Sequence, residues 1–390
     1  MVLSNNDGCV VALCKYAKAL GIPRGKPLFQ IESLIVRHKV EVFSSNYELY
    51  GDLSRRVMSI LEGMAPHVEV YSIDEAFLDL TRLTEPPLTL GRRILELIPR
   101  WTGIPVSVGI GPTKVLAKAA NHRAKKDPSA QGLLHLETPE QIRRVLAEFP
   151  VEDLWGIGRA HTAFLARKGI TWALQLANCD DTWVKKHLHL PVLNLVWELR
   201  GKQSMDLDTA PSPKEGIMCS RSFNHLVGDL PSLQESVVDY ASRAVEKLRR
   251  QESLARVVTV HVGTNPFKEQ DAQYHASAVE ILDLPTDHTP TLAAAALRAL
   301  ERLYRTGFRY KKTAVFLSDI SDGNRPQGHL FLERSPQEDQ VMEAVDGIKA
   351  KYGRHSLGLL GAGVKRTWAM SRSLLSPAYT TRWRDLAVAR

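Results

Sequence analysis

The sequence predicts an α+β protein of several domains, and three observations carry that prediction. The chain has 390 residues, enough for about two to four folding units of ordinary size. Its 44% apolar and 24% charged residues are the proportions of a folded globular protein, which excludes a disordered or fibrous chain. Strand-like and helix-like periodicities are mixed in the first third, give way to helices in the middle, and return in a regular strand and helix alternation after residue 215.

Taken in order, residues 10–20 (VVALCKYAKAL) read as a short helix stopped by Gly21 and Pro23, and 53–64 as a second helix. Residues 68–80, VEVYSIDEAFLDL, alternate as a strand pair or one bent strand, interrupted by Asp74 and Glu75. LGRRILELIPR fits a helix, 104–111 a buried strand, and TKVLAKAANHRAKK a helix opened by a threonine cap. From 140 to 205 the strand signal fades, and PEQIRRVLAEF, GRAHTAFLARKG and VLNLVWELRG suggest a small helical domain. SMDLDTAPSPKEG has the composition of a linker. After it come a strand at 216–223, a helix at 231–251, strands at 255–264 and 275–284, a helix at 290–306 and a strand at 310–319. That βαββαβ order builds a four-stranded sheet backed by two helices. A polar stretch, a helix near 337–351 and a basic tail complete the chain.

Charge and cysteine usage narrow the class. Lysine and arginine outnumber acids 51 to 43, a net +8 with a pI near 9.2, which favours a polyanionic partner such as nucleic acid. Cys9, Cys14, Cys179 and Cys219 form no CxxC pair, so neither a zinc site nor a disulfide framework is expected, and a reducing cytoplasm fits. The opening MVLSNNDGCVV lacks the pattern of a signal peptide, and no window approaches a bilayer span, so no membrane association is expected.

The strongest chemical signal is SIDEAFLDL, where Asp74 and Glu75 stand side by side in an apolar stretch. Adjacent residues of a regular strand point to opposite faces, so both carboxylates face one ion only at a strand end, hairpin or bulge. The plainer alternative leaves one acid in solvent and pairs the other with a lysine. A metal-dependent nuclease would use the same carboxylates, although no further cluster of histidine and acid residues gathers beside them.

The segments LSNNDGCVVALCKYAKALGIPRGKP, FSSNYELYGDLSRRVMSILE, VEVYSIDEAFLDLT, VSVGIGPTKVLAKAANHRAKK, LWGIGR, CSRSF and LSPAYTTRW occur in this order across nearly the whole chain. Together they resemble the Y-family of translesion DNA polymerases, and within it the UmuC-like polymerase subunits of bacterial SOS mutagenesis. The resemblance implies a right-hand polymerase: a partial palm start and fingers at 1–46, a palm with a mixed sheet at 47–139, and a helical thumb with a helix-hairpin-helix at 140–205. A linker at 206–214, the βαββαβ little finger at 215–320 and a clamp- and partner-binding tail at 321–390 follow. The implied activity is error-prone, template-directed nucleotidyl transfer past lesions in the SOS response, on primer-template DNA and deoxynucleoside triphosphates.

By the same resemblance Asp74 and Glu75 are catalytic acids that hold two magnesium ions. Lys18, Lys125 and, as a substitute, Lys126 match the cations that meet the triphosphate; as isolated residues each also reads as a solvated helix lysine. A tyrosine that many members place one turn before the fingers cation is matched by Lys15. In LWGIGR, Gly156, Gly158 and Arg159 resemble a helix-hairpin-helix turn against a phosphate, though a bare GxG is also an ordinary turn. Lys214, Arg221 and Ser222 would follow the DNA backbone. Gln327, Leu330 and Phe331, in QGHLF, resemble a peptide that docks on the sliding clamp, the alternative being packing on the protein's own surface. The tail implies contact with a processed UmuD-type partner and with RecA. The family opens on a strand with a third aspartate, followed by an aromatic residue that excludes the ribose 2′-hydroxyl. Met1 stands almost directly before LSNNDG, so neither is carried over, and the chain is expected to begin after that strand. A late-assigned start implies a longer active enzyme; a truncated gene implies a remnant that binds DNA and clamp without synthesis.

Overall fold

The computed structural model describes residues 1–210, 212–324, 335–354 and 356–388. The chain forms two compact units, one of Met1–Asn46 with Ser212–Ser376, the other of Tyr47–Pro211 with Pro377–Arg390. In the first unit β1 (Val2–Leu3) lies between β2 (Val10–Ala12), antiparallel to it, and β3 (Phe43–Ser44), parallel to it. Helices α1 (Lys15–Ala19) and α2 (Glu32–His38) flank this sheet. The helix expected over 10–20 therefore begins only at Lys15. Val10 and Val11 are β-branched and pair better in a strand than in a first helical turn. Asn6 and Asp7 sit at φ 58° and 49°, the left-handed conformation that Asn and Asp tolerate best, and turn the chain from β1 toward β2.

The second unit carries α3 (Tyr47–Glu62), β4 (Val68–Val70), β5 (Ala76–Leu78), α4 (Pro87–Thr102), β6 (Val108–Ile110), α5 (Lys114–Lys126) and β7 (Leu133–His135). The helices α6 (Pro139–Ala147), α7 (Arg159–Arg167), α8 (Ala173–Ala177) and α9 (Asp181–Leu199) follow. β4 and β5 form an antiparallel hairpin, β6 and β7 a parallel pair. Among the described residues no ladder joins the two pairs, and the sheet with both parallel and antiparallel neighbours is β2-β1-β3. Thr113 caps α5, its hydroxyl accepting from the Leu116 amide. Gly109 lets that helix lie directly on β6, because a Cβ there would stand 2.1 Å from the Asn121 nitrogen. The helical half shares one core, in which Leu116, Leu146, Leu165, Leu176 and Val196 are fully or almost fully buried. Helix α9 is broken at His189, φ 65°, two residues before Pro191, where proline removes a helical donor.

The chain then returns to the first unit with β8 (Ile217–Val227), α10 (Leu230–Arg250), β9 (Ser253–Thr264), β10 (His275–Thr286), α11 (Thr289–Leu303) and β11 (Tyr310–Asp322). This is the expected βαββαβ order. The sheet runs β10-β9-β11-β8, antiparallel throughout. Val258, Val260, Val315 and Leu317 point from it into a core shared with Val237, Ala241, Leu292 and Ala296 of the two helices. Helix α12 (Pro336–Tyr352) and the segment after it pack on α10. Asp346 takes a two-pronged pair from Arg249, at 2.7 and 2.9 Å. Trp368 is 2% exposed and meets Tyr240 and Phe223 edge-on. Gln327, Leu330 and Phe331 lie outside the described residues.

Candidate active site

Asp74 and Glu75 occupy the turn of the β4–β5 hairpin, a strand junction and not a regular strand. The Tyr71 and Ser72 amides donate to the Glu75 carbonyl at 3.1 and 3.0 Å, which closes the turn. The Ser72 hydroxyl donates to Asp74 Oδ1 at 2.7 Å and accepts from the Asp74 amide at 3.3 Å. Asp74 is exposed; Glu75 is half-buried and pairs with Lys118 of α5, Nζ to Oε2 3.0 Å. The arrangement is therefore the plainer alternative, one acid in solvent and one paired with a lysine, with the two residues side by side on a hairpin turn and not on a regular strand.

Lys118 also lies 4.9 Å above the Tyr71 ring and 5.1 Å above that of Trp155. Tyr71, Phe77 and Trp155 contact one another edge-on or tilted, and the Trp155 Nε1–H donates to the Tyr71 hydroxyl at 2.9 Å. A cation over aromatic faces is favourable where water is reduced, so this cluster holds Lys118 against Glu75. One strand earlier, the buried Glu69 pairs with Lys114 and accepts from the Asp208 amide at 2.9 Å. Neither Lys114 nor Lys118 was singled out from the sequence, because a lysine in a helix pattern gives no sign of its partner.

The donor set fits magnesium. This ion takes oxygen ligands, keeps several waters and needs only one or two protein carboxylates beside substrate phosphates; an exposed Asp74 and a half-buried Glu75 on one turn supply them. Among the described residues no third acid, histidine or cysteine completes a three-ligand cluster. Lys125 and Lys126 stand exposed in the last turn of α5. Lys126 pairs with Asp153 at 3.1 Å, whereas Lys125 has no ion pair among the described residues. Lys18 is exposed on α1, in the other unit.

Gly156 takes φ 91° and Gly158 is the N-cap of α7, whose first residue is the exposed Arg159. The first amides of a helix have no partner within it, and Gly158 brings no side-chain cap to this one. Lys214 is exposed beside β8, its amide and carbonyl both bonded to Gln251. Arg221 shares the strand parity of the buried Ile217, Cys219 and Phe223, and acts electrostatically on Tyr240 of α10. Its side chain is thus turned to the helices, while Ser222 has the opposite parity. Asn6 Nδ2 donates to the Ser222 and Phe223 carbonyls at 3.0 and 3.2 Å, a role for LSNNDG that its residues did not announce.

The four-stranded antiparallel sheet on two helices, with an acidic hairpin packed on a lysine-bearing helix, defines the class. The chain has the Y-family DNA polymerase fold. A solved Y-family DNA polymerase chimera of Dbh and Dpo4 matches with TM-score 0.60 at 20% identity over 80% of this chain and 90% of its own. A post-insertion binary complex of Dbh DNA polymerase matches with TM-score 0.52, also at 20% identity, over 82% and 91%. Within that class the chain belongs to the impB/mucB/samB family: residues 1–122 match the family, and 214–330 its C-terminal domain. Residues 339–389 match a domain of unknown function, DUF4113. It is 41% identical to the protein ImpB of Salmonella typhimurium, over 100% of this chain and 93% of ImpB. It is 42% identical to the protein UmuC of Salmonella typhimurium strain LT2, over 99% and 93%.

Proposed function

We propose that this chain performs error-prone, template-directed DNA synthesis past damaged bases, and that Asp74 and Glu75 are its catalytic acids. The observation that carries the reading is the pair of adjacent carboxylates on the β4–β5 turn, in a chain whose relatives match it from end to end. The primer 3′-oxygen bonds to the α-phosphorus of a deoxynucleoside triphosphate, the bond from that phosphorus to the β-phosphate bridge breaks, and pyrophosphate leaves with the electron pair. Asp74 and Glu75 would hold magnesium, two ions in all, which when bound makes the 3′-hydroxyl more acidic and offsets the charge of the phosphates.

The remaining roles belong to side chains around that turn. The Ser72 hydroxyl orients Asp74, and Lys118, fixed by Tyr71 and Trp155, orients Glu75. Lys125 meets the triphosphate; its lack of an ion pair among the described residues supports it over Lys126, which is engaged with Asp153. Lys18 is a second triphosphate contact from the fingers. Gly156, Gly158 and Arg159 receive a backbone phosphate at the start of α7, and Lys214 and Ser222 follow the duplex along β8. The inward turn of Arg221 assigns it to support of that strand. Gln327, Leu330 and Phe331 dock on the sliding clamp, and the tail meets a processed UmuD-type partner and RecA. No described helix is long and apolar enough to cross a membrane, and the site of action is the cytoplasm. The reading as a non-catalytic remnant is not favoured by relatives that match the whole chain.

The test is primer extension with magnesium and all four deoxynucleoside triphosphates, on an undamaged template and on one carrying an abasic site. Extension through the abasic position is expected. Extension that always stops one nucleotide before it would remove the translesion reading, and absence of extension on both templates would remove synthesis itself.

A further inference from the structure

In the first unit, α10 and the segment matching the domain of unknown function line a cavity of about 80 Å³. Its lining includes Arg243 from α10, Lys349 from α12, and Arg354 and Arg366 from the segment that follows, with Asp239 and Glu246 beneath them. Four cations against two carboxylates leave a surplus of two positive charges in one small space. The carboxylates engage only part of the available donors. Asp239, 6% exposed at its side chain, forms ion pairs with Arg243 Nε at 2.7 Å and Arg366 Nη1 at 2.8 Å, and its Oδ2 has no hydrogen-bond partner among the described residues. Glu246, 9% exposed, takes Arg354 Nη2 only at 3.5 Å, its closer partner being Arg250 at 2.6 Å. A guanidinium presents five N–H donors, so Arg243, Arg354 and Arg366 each carry donors beyond these pairs. Lys349 has no ion pair among the described residues.

Excess donors and excess positive charge around a cavity call for an oxygen-rich anion. The volume is on the scale of a few water molecules, which admits one tetrahedral ion and no nucleoside. We propose that this cavity is a binding site for a free phosphate-class oxyanion, and that the segment of unknown function completes it by bringing Lys349, Arg354 and Arg366 to Arg243. The acids hold the guanidinium groups apart in a fixed frame, so the site is ordered before the ion arrives.

The experiment is isothermal titration of the full chain with inorganic phosphate, against a chloride control of equal ionic strength. Saturable binding to one site is expected in phosphate alone. Lys349→Gln and Arg354→Gln break no short ion pair and should leave the melting temperature unchanged while weakening binding roughly tenfold each. Lys351→Gln, on the same helix but outside the cavity lining, should bind as the parent does. Single-stranded DNA in excess should leave the isotherm unchanged. Lack of saturation, or unaltered affinity in both lining variants, would mean an adventitious ion only and overturn the site. Displacement by DNA would overturn the assignment to a free ion and give the cavity to a backbone phosphate.

Discussion

Glu198 lies on α9 with 0% exposure, and its replacement is the sharpest stability test available in the second unit. Its Oε1 accepts from the Ser204 amide at 2.7 Å and the Met205 amide at 3.0 Å, and its Oε2 from Val115, at the start of α5, at 3.4 Å. The backbone carbonyl of the same residue accepts from the Thr113 hydroxyl that caps α5. One carboxylate thus ties the end of α9 to the beginning of the helix that carries Lys118 and Lys125. Hydrogen bonds to a charged group contribute about 1.5–3 kcal/mol each, and here two are short and one long. Ser204 and Met205 are only half-buried, so water recovers part of the loss, and Glu198→Ala should cost about 2–4 kcal/mol. Glu198→Gln keeps the volume and one acceptor and should cost about half as much. The assay is urea unfolding followed by the fluorescence of Trp155, Trp183 and Trp197, all in this unit. An alanine variant within about 1 kcal/mol of the parent would show that the carboxylate does not organise this junction.

Three further outcomes follow from other contacts. Burial, helped by Lys126 and Lys125 and opposed by Asp153, holds His122 below the usual 6.5. The folded chain therefore takes up this proton less readily than the unfolded one, and stability should fall as pH drops through about 6.5; His122→Gln should flatten that part of the urea midpoint against pH. Arg159→Ala should weaken duplex binding uniformly across sequences and lower the salt slope by about one, as read by fluorescence anisotropy; an unchanged slope would remove Arg159 from the phosphate contact. Asp7 accepts from the Ser44 hydroxyl at 2.6 Å and from the amide and hydroxyl of Ser373 at 2.9 and 3.0 Å. Asp7→Ala should cost about 1–2 kcal/mol after allowance for its partial exposure, and speed hydrogen exchange at Ser373 and Leu374.

Much of this fold was legible in the sequence, for physical reasons that differ by region. The βαββαβ region announced itself because its strands are long and rich in valine and its helices carry an apolar stripe, as in VVTVHV and TLAAAALRAL. Thr113 marked the start of α5 as a cap residue should. VVALCKYAKAL misled because a short apolar run followed by alanines suits either element, and only the pairing of Val10 and Ala12 with β1 decides it. The adjacent acids marked the candidate site, but Lys118 and the aromatic cluster around it were invisible, since their partners come from distant parts of the chain. The tail was equally silent: Trp368, among the most deeply buried side chains, sits in a stretch with no periodicity, held by its ring contacts and by a bond from its Nε1 to Glu235 at 3.0 Å.

The most direct test of the catalytic assignment pairs two readings on the product of the protein's own gene: primer extension with magnesium, and primer-template affinity by anisotropy. Asp74→Asn and Glu75→Gln should each lower extension by roughly a hundredfold or more while affinity for DNA stays within about twofold of the parent. Extension that persists in both variants at the parent rate would contradict the account and take the β4–β5 turn out of the chemistry.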